Sequence, residues 1–412
     1  MRIAVITSKY PFSRTAESFF AAEERALLQE VDGLVLAPLH RSGDERFFRS
    51  RARAIRVPGR LRVARDAVAE CARSPLRTLG ALRAVVLHSE SALSLLKNVA
   101  LFPRSLYLAR AFRRASIDHV HAYWLSTPAT AAFVIAHILG ISWSATAHRW
   151  DIYARNMTKE KCRSAAFIRT ISQEGASALR DVSGRNDSIG CVRLGVQLPN
   201  VAGIDAPRQD PAFLCAASFV PVKGHDVLLE ACSQLLRAGC HFRLDLAGDG
   251  PLRAHLEQSI LRLQLQDDVR LLGHVEHDAL IDLMQTGTYR AVVLTSIQKG
   301  HLKEGVPVSL IEAMAAGIPC IATDSGSVRE LVFHPHGLLV QRNNVNELTK
   351  AMRSLLDDPL LARSMGSAAR RHVEAHYDAS ANVRRLTDLM RNAIQHSSAT
   401  SAQNASARLA RL

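Results

Sequence analysis

Residues 303–332 read KEGVPVSLIEAMAAGIPCIATDSGSVRELV, and the fold follows from this stretch. Glu304 and Glu312 stand eight positions apart in it, with Gly305 and Pro307 between them. The run before it, residues 290–296 (RAVVLTS), contains no breaker and reads as a buried parallel strand; residues 318–323 (IPCIAT) read as the next. Pro307 suits a first helical position, because its ring fixes φ and its missing N–H would find no partner there. Val308 to Ala316 then form a helix that Gly317 ends. The whole is a βαβ unit whose βα loop carries a carboxylate. The N–H groups of Gly305 and Val306 lie at a helix N-terminus, a partially positive end that binds phosphate. Mostly helical rise puts the two carboxylates roughly 10 Å apart. A diphosphate held between them leaves one carboxylate for a ribose and one for a sugar. The plain alternative is a capped amphipathic helix with two solvated glutamates.

Working outward, the same alternation fills the chain. Strands are expected at 2–7, 33–38, 119–123, 142–147, 165–172 and 190–196, then at 212–218, 242–250 and 269–275. Residues 197–211 (QLPNVAGIDAPRQDP) lack periodicity and read as a linker. Two doubly wound domains follow, over 1–200 and 201–377, as a length of 412 residues also implies. The tail, residues 397–412, is small and polar and reads as disordered. Residues 119–148 carry no Lys, Arg, Asp or Glu, long enough for a membrane span, but their histidines, Pro128 and Gly140 favour a buried strand–helix–strand unit.

Hydrophobic content of 48% indicates a soluble globular protein. Seven scattered cysteines, odd in number and without a C-x-x-C pair, argue against a disulfide framework or structural zinc and fit a reducing cytoplasm. No secretory signal is read at the N-terminus. The net charge is +14, and residues 41–114 hold 17 basic against 5 acidic residues. The segments 46–68 (RFFRSRARAIRVPGRLRVARDAV) and 109–116 (ARAFRRAS) read as basic amphipathic helices able to lie on an anionic membrane, or as a solvated arginine-rich face. The expected location is the cytoplasm, and on the first of these readings the inner face of the membrane. A nucleic-acid partner is disfavoured, since no nucleic-acid module appears and aromatic residues make up 5%.

Other loops carry candidate groups. Lys223 and Gly224, in ASFVPVKGHDVLLEA, fall between a strand and a helix, where a lysine reaches a phosphate. His148 follows an apolar strand, at the sheet end where ligands bind; His121 lies in the preceding strand and is a further candidate for lining that site. Glu17 lies in the first βα loop, as a ligand contact or a helix cap. Gly248 and Gly250 sit in a glycine-rich loop after a strand, and Glu330 reads as the first-turn charge of a helix. No D-x-D pair stands beside a strand, and no cluster has metal-ligand spacing, so no metal is expected.

The 303–332 stretch resembles the E-x7-E signature of family 4 of the retaining glycosyltransferases, and the resemblance is strongest over 212–375. It implies a GT-B fold, in which two Rossmann-like domains face a central cleft and a last helix near 378–395 returns to the first domain. It also implies a metal-independent transferase that moves a sugar from a nucleotide donor, most often UDP-linked, to a glycan or lipid-linked oligosaccharide, with no cofactor. Glu312 would then bind the ribose and Glu304 the sugar hydroxyls. Lys223 and Gly224 would hold the diphosphate, and the amides near Gly305 and Val306 the diphosphate or sugar. Gly248, Gly250 and the backbone at Val275 would border the nucleotide. Thr146, His148 and Asp151 match the family's T-x-H-x-x-D motif, with His148 facing sugar and diphosphate. Glu17, Ser18 and Phe19 are similar to the E-T/S-F variant of exopolysaccharide and colanic-acid-type transferases. One departure stands out: where the family usually has an arginine, this chain has Ser218. Competing readings are an epimerase or phosphorylase of the same fold, and a non-catalytic nucleotide-sugar-binding or membrane-scaffold protein.

Overall fold

Continuous apolar strands define the architecture, because a parallel sheet covered on both faces buries successive side chains alike. The computed structural model describes residues 1–12, 17, 19–40, 52–56, 58–149, 151–199, 211–298 and 303–409. The chain divides into two compact units, Met1–Gly195 with Ala379–Leu412, and Val196–Asp378. Of the expected linker, residues 200–210 lie outside the described residues.

The first unit contains β1 (Arg2–Thr7), α1 (Phe20–Glu30), β2 (Gly33–Pro38), a short β3 (Arg53–Ala54), three consecutive helices α2 (Arg60–Arg73), α3 (Pro75–His88) and α4 (Ala92–Arg114), then β4 (His119–Ala122), α5 (Thr127–Leu139), β5 (Ser142–Ala147), α6 (Thr158–Ser164), β6 (Phe167–Thr170), α7 (Gln173–Ser183) and β7 (Ile189–Cys191). Its sheet is ordered β3-β2-β1-β4-β5-β6-β7, with every pairing parallel. The order reverses between β1 and β4, the switch point where loops diverge and leave room for ligands. β7 stops short of the expected 190–196. The buried Arg169 guanidinium donates to the Val192 and Arg193 carbonyls and replaces a continuing ladder. The uncharged 119–148 stretch is β4-α5-β5, and α5 is apolar over most of its surface because the core covers all but a narrow side that carries the exposed His137. Among the described residues no helix is long and apolar enough to cross a membrane.

One interior feature is polar. β4 (HVHA) and β5 (SWSATA) pair in parallel with His119 opposite Ser142 and His121 opposite Ser144. His119 Nδ1 and Nε2 lie 2.7 Å from the hydroxyls of Ser142 and Ser144; His121 Nδ1 and Nε2 lie 2.8 Å from those of Ser144 and Thr146. Both rings stack on Phe167. Burial pushes His119 down to about 3 and His121 well below its ordinary value, so both are neutral. Every ring nitrogen has a hydroxyl, as buried polar groups require.

The second unit contains β8 (Ala212–Ala216), α8 (His225–Arg237), β9 (Arg243–Ala247), α9 (Arg253–Arg262), β10 (Val269–Gly273), α10 (His277–Gln285), β11 (Tyr289–Leu294), α11 (Val308–Ala315), β12 (Cys320–Thr323), β13 (Gly337–Val340), α12 (Val345–Asp357) and α13 (Pro359–His376). Its parallel sheet runs β10-β9-β8-β11-β12-β13, so the switch point lies between β8 and β11. The two doubly wound α/β domains expected from the alternation are present. Glu330 closes a 3-10 turn, Gly326–Glu330, and opens no helix.

A last helix, α14 (Ala379–Leu409), belongs to the first unit and packs on α1. Val383, Leu386 and Met390 share a core with Ile3, Val5 and Phe20. The helix continues past Ser397 to Leu409, where a disordered tail is expected from composition. The alanines that make this stretch read as featureless are also the strongest helix formers.

Candidate functional site

The second-unit site is built by the two loops that diverge at its switch point. After β8 the chain makes a 3-10 turn, Pro221–Lys223, and Gly224 opens α8 at φ 62°. A Cβ at Gly224 would lie 2.2 Å from the Thr295 carbonyl oxygen, so this glycine lets the β8 loop close on the β11 loop. The Thr295 hydroxyl ties the two by donating to the Gly224 carbonyl at 2.9 Å. Lys223 thereby reaches across the switch point: its Nζ lies 2.7 Å from Glu304 Oε2, which also accepts from the Ser296 hydroxyl at 2.7 Å. Glu304 is fixed from below as well, since its N–H donates to the Ser325 hydroxyl at 3.2 Å.

Pro307 is the residue before α11, which starts at Val308. The N–H groups of Gly305 and Val306 make no hydrogen bond among the described residues. Glu312 lies within α11, nearly buried, and its Oε1 accepts from His277 Nε2 at 2.6 Å. The bond to Glu312 raises His277 above its ordinary value, although burial opposes it. His277, the first residue of α10, carries no signal in the sequence: it meets Glu312 only because two separate βα units place their helix starts together. Ser218 is exposed in the β8 loop.

Gly248 and Gly250 follow β9, and packing accounts for both. A Cβ at Gly248 would stand 2.0 Å from the Ala217 carbonyl oxygen; one at Gly250 would stand 2.7 Å from that of Phe219. Val275 packs at the edge of the second-unit core, two residues past β10. Gly326 has a more direct link to the site, since at φ 59° its Cβ would meet the Glu304 carbonyl oxygen at 2.0 Å. Gly326→Ala is therefore expected to displace Glu304 and to destabilise the second unit by more than about 1–2 kcal/mol. A urea titration with and without nucleotide sugar would register both effects.

In the first unit, His148 follows β5 and is nearly buried against Trp124, with ring centroids 4.2 Å apart. Neither ring nitrogen has a hydrogen-bond partner among the described residues. Burial, reinforced by Arg169, pushes it down to about 3, so the ring is neutral across the physiological range. Asp151 holds this corner together: it accepts from the N–H groups of His148 and Leu125, each at 2.7 Å. Burial raises it to about 7, against those bonds and Lys161. Lys161, lowered to about 7 by its own burial, donates to the Leu125 and Ser126 carbonyls. Asp151 thus positions the loop.

Glu17 has a different task from a helix cap. It sits at φ 63° ahead of α1, and its carboxylate accepts from the Ser8, Lys9 and Tyr10 N–H groups at 2.7–2.9 Å and from the Trp124 indole. It organises the β1 loop, and one side of it borders a cavity of about 530 Å³ lined also by Phe19, His40, Leu93, Lys97 and Trp124. Ser18 lies outside the described residues. His121 lies in the hydroxyl ladder, with both nitrogens satisfied inside the sheet.

Residues 200–372 match the family described as glycosyl transferases group 1. A GDP-mannose-dependent monoacylated alpha-(1-6)-phosphatidylinositol monomannoside mannosyltransferase of Corynebacterium glutamicum is 31% identical over 182 residues, covering 44% of this chain and 47% of that protein. The putative colanic acid biosynthesis glycosyltransferase WcaL of Escherichia coli K12 is 30% identical over 234 residues, covering 55% of this chain and 57% of that protein. The chain thus spans about half the length of these curated relatives. The crystal structure of Anabaena HepE in complex with UDP superposes over 95% of this chain and 100% of that one, with a TM-score of 0.69 at 16% identity. A glycosyltransferase from Rickettsia africae superposes with a TM-score of 0.70, also at 16% identity, over 95% and 98% of the two chains. These likenesses establish a shared two-domain fold. The relationship in sequence to the group 1 glycosyl transferases rests on residues 200–372, the segment that holds Lys223, His277, Glu304 and Glu312.

Proposed function

We propose that the chain is a retaining glycosyltransferase that takes a sugar from a nucleotide sugar and adds it to a glycan or lipid-linked glycan in cell-surface polysaccharide or glycolipid synthesis. The observation that carries the reading is the Lys223–Glu304 pair across the β8/β11 switch point, beside the free N–H groups of Gly305 and Val306. A cation and two amides at a helix start suit a diphosphate, and they supply the stabilisation a leaving group needs without a metal. Glu304 positions the sugar hydroxyls, and Glu312, with Oε1 on His277, presents Oε2 to the ribose. In the first unit, the cavity beside Trp124 and Lys97 takes the acceptor.

The step we assign is a front-face displacement. The bond from the anomeric carbon to the phosphate oxygen breaks, and the bond to the acceptor oxygen forms on the same face. The acceptor proton passes to the departing phosphate. Lys223 and the Gly305 and Val306 amides hold the charge that develops on the diphosphate. Neither glutamate serves as a nucleophile.

UDP is the carrier we favour, in line with the UDP bound by the Anabaena structure, whereas the Corynebacterium relative is named for GDP-mannose. A panel of UDP- and GDP-sugars read by thermal shift separates them. The true donor at about 100 times its Kd adds about 2.7 kcal/mol to the native protein and leaves Glu312→Ala unshifted. Equal stabilisation of both proteins overturns the assignment of Glu312. Donor binding without turnover on any glycan acceptor overturns the transferase reading in favour of a binding protein.

A further inference from the structure

Helices α2, α3 and the first turns of α4 are amphipathic in the inverted sense. Helix α3 turns Thr78, Ala81 and Val85 inward and presents Leu76, Leu79, Val86 and Leu87 to solvent. Helix α4 begins the same way, with Ser94 and Asn98 inside and Leu93 and Leu96 outside. In α2 the buried side chains include Asp66 and Glu70, while Leu61 and Val68 are outside. Nine of the fourteen exposed large apolar side chains among the described residues fall between Leu61 and Val99. Such a concentration marks a contact surface, not the scattered exposure of ordinary proteins.

The charges on these helices are sorted as well. Asp66 lies 3.8 Å from Arg110, and Glu70 pairs with Arg113, so both acids are spent inside the helix layer. Arg110 and Arg113 therefore face inward, while Arg114 is exposed; residues 41–51 lie outside the described residues. The cations that remain outward are interleaved with the leucines. Arg83 falls on the helical face of Leu76 and Leu79, and Lys97 on that of Leu93 and Leu96. Arg62, Arg83 and Lys97 make no ion pair among the described residues.

We propose that the α3–α4 hairpin docks on an anionic lipid bilayer, with its leucines among the acyl chains and Arg83 and Lys97 reaching up to the headgroups. An interfacial helix needs an apolar face together with cations whose stems lie along it, and this hairpin has both. A protein partner would instead meet a surface whose centre is depleted of charge. Leu93 and Lys97 also line the cavity beside Trp124, so docking brings that cavity to the lipid surface.

The test is co-sedimentation of the full chain with vesicles of phosphatidylcholine alone and of equal parts phosphatidylcholine and phosphatidylglycerol. The expected result is binding to the anionic vesicles, weakened by salt and not competed by free glycerol phosphate. Leu79→Glu/Leu96→Glu lowers it about tenfold or more, and Arg83→Ser/Lys97→Ser lowers it to a similar degree with an unchanged Tm. Absence of binding to anionic vesicles, or binding indifferent to both double variants, overturns the proposal. So does a concentration-dependent dimer that the leucine variant abolishes, which assigns the face to a second copy of the chain. Competition by glycerol phosphate assigns it to a soluble phosphate ligand and also overturns the bilayer.

Discussion

Replacing Lys223 with alanine is expected to lower kcat/KM for sugar transfer by about 10²–10³-fold, the effect of removing one preorganised charge partner from a transition state. The loss has two sources. A cation beside the departing diphosphate disappears, and Glu304 is left with the Ser296 hydroxyl and a carboxylate charge facing the same phosphates. The sources are separable, because Lys223 and Glu304 touch and their substitutions will not add. If Lys223 served only to hold Glu304 in place, Glu304→Gln and Lys223→Ala/Glu304→Gln would be equally active. If Lys223 acts on the diphosphate, the double variant falls well below Glu304→Gln. Transfer by Lys223→Ala within threefold of the parent, about 0.7 kcal/mol of barrier, would remove the lysine from the mechanism.

The second large effect concerns stability. Arg169 and Glu23 form an ion pair with both side chains almost completely inaccessible to solvent. Arg169 also donates to the Val192 and Arg193 carbonyls, and Glu23 accepts from the Tyr123 hydroxyl at 2.7 Å. Such a pair adds little relative to apolar packing, but breaking it strands a charge. Glu23→Ala is expected to destabilise the first unit by about 3–5 kcal/mol, leaving a guanidinium with carbonyl partners and no counter-charge. The urea midpoint of the first unit reports the loss. A change below about 1 kcal/mol would mean that water enters and solvates Arg169.

The two substitutions also show which parts of the molecule were legible in the sequence. The βα frame was, because parallel strands buried on both faces leave unbroken apolar runs, and Gly317 and Gly140 end their helices where the chain says they should. Glu304 and Lys223 were legible as loop residues at strand ends. Their contact was not, since it depends on β8 and β11 being sheet neighbours, which no local pattern states. His277 escaped for the same reason. The partners of His121 were not legible either, because Ser144 and Thr146, which satisfy its two nitrogens, sit on the adjacent strand. Arg169 and Glu23 stand 146 positions apart and look like ordinary surface charges. The leucines of α3 have the spacing of a core face. Only packing shows that Thr78, Ala81 and Val85 took the inside.

The run Ser142–His119–Ser144–His121–Thr146 has a consequence for how the interior of the first unit holds its protons. Ser144 sits at the middle, shared by His119 Nε2 and His121 Nδ1, and it has a single hydrogen to give. Both imidazoles therefore cannot present a bare nitrogen to it at once, so the tautomer chosen by one ring restricts the other. The five groups behave as a short line of dominoes with few allowed orientations, and Ser144→Ala would disorder both rings together, not one.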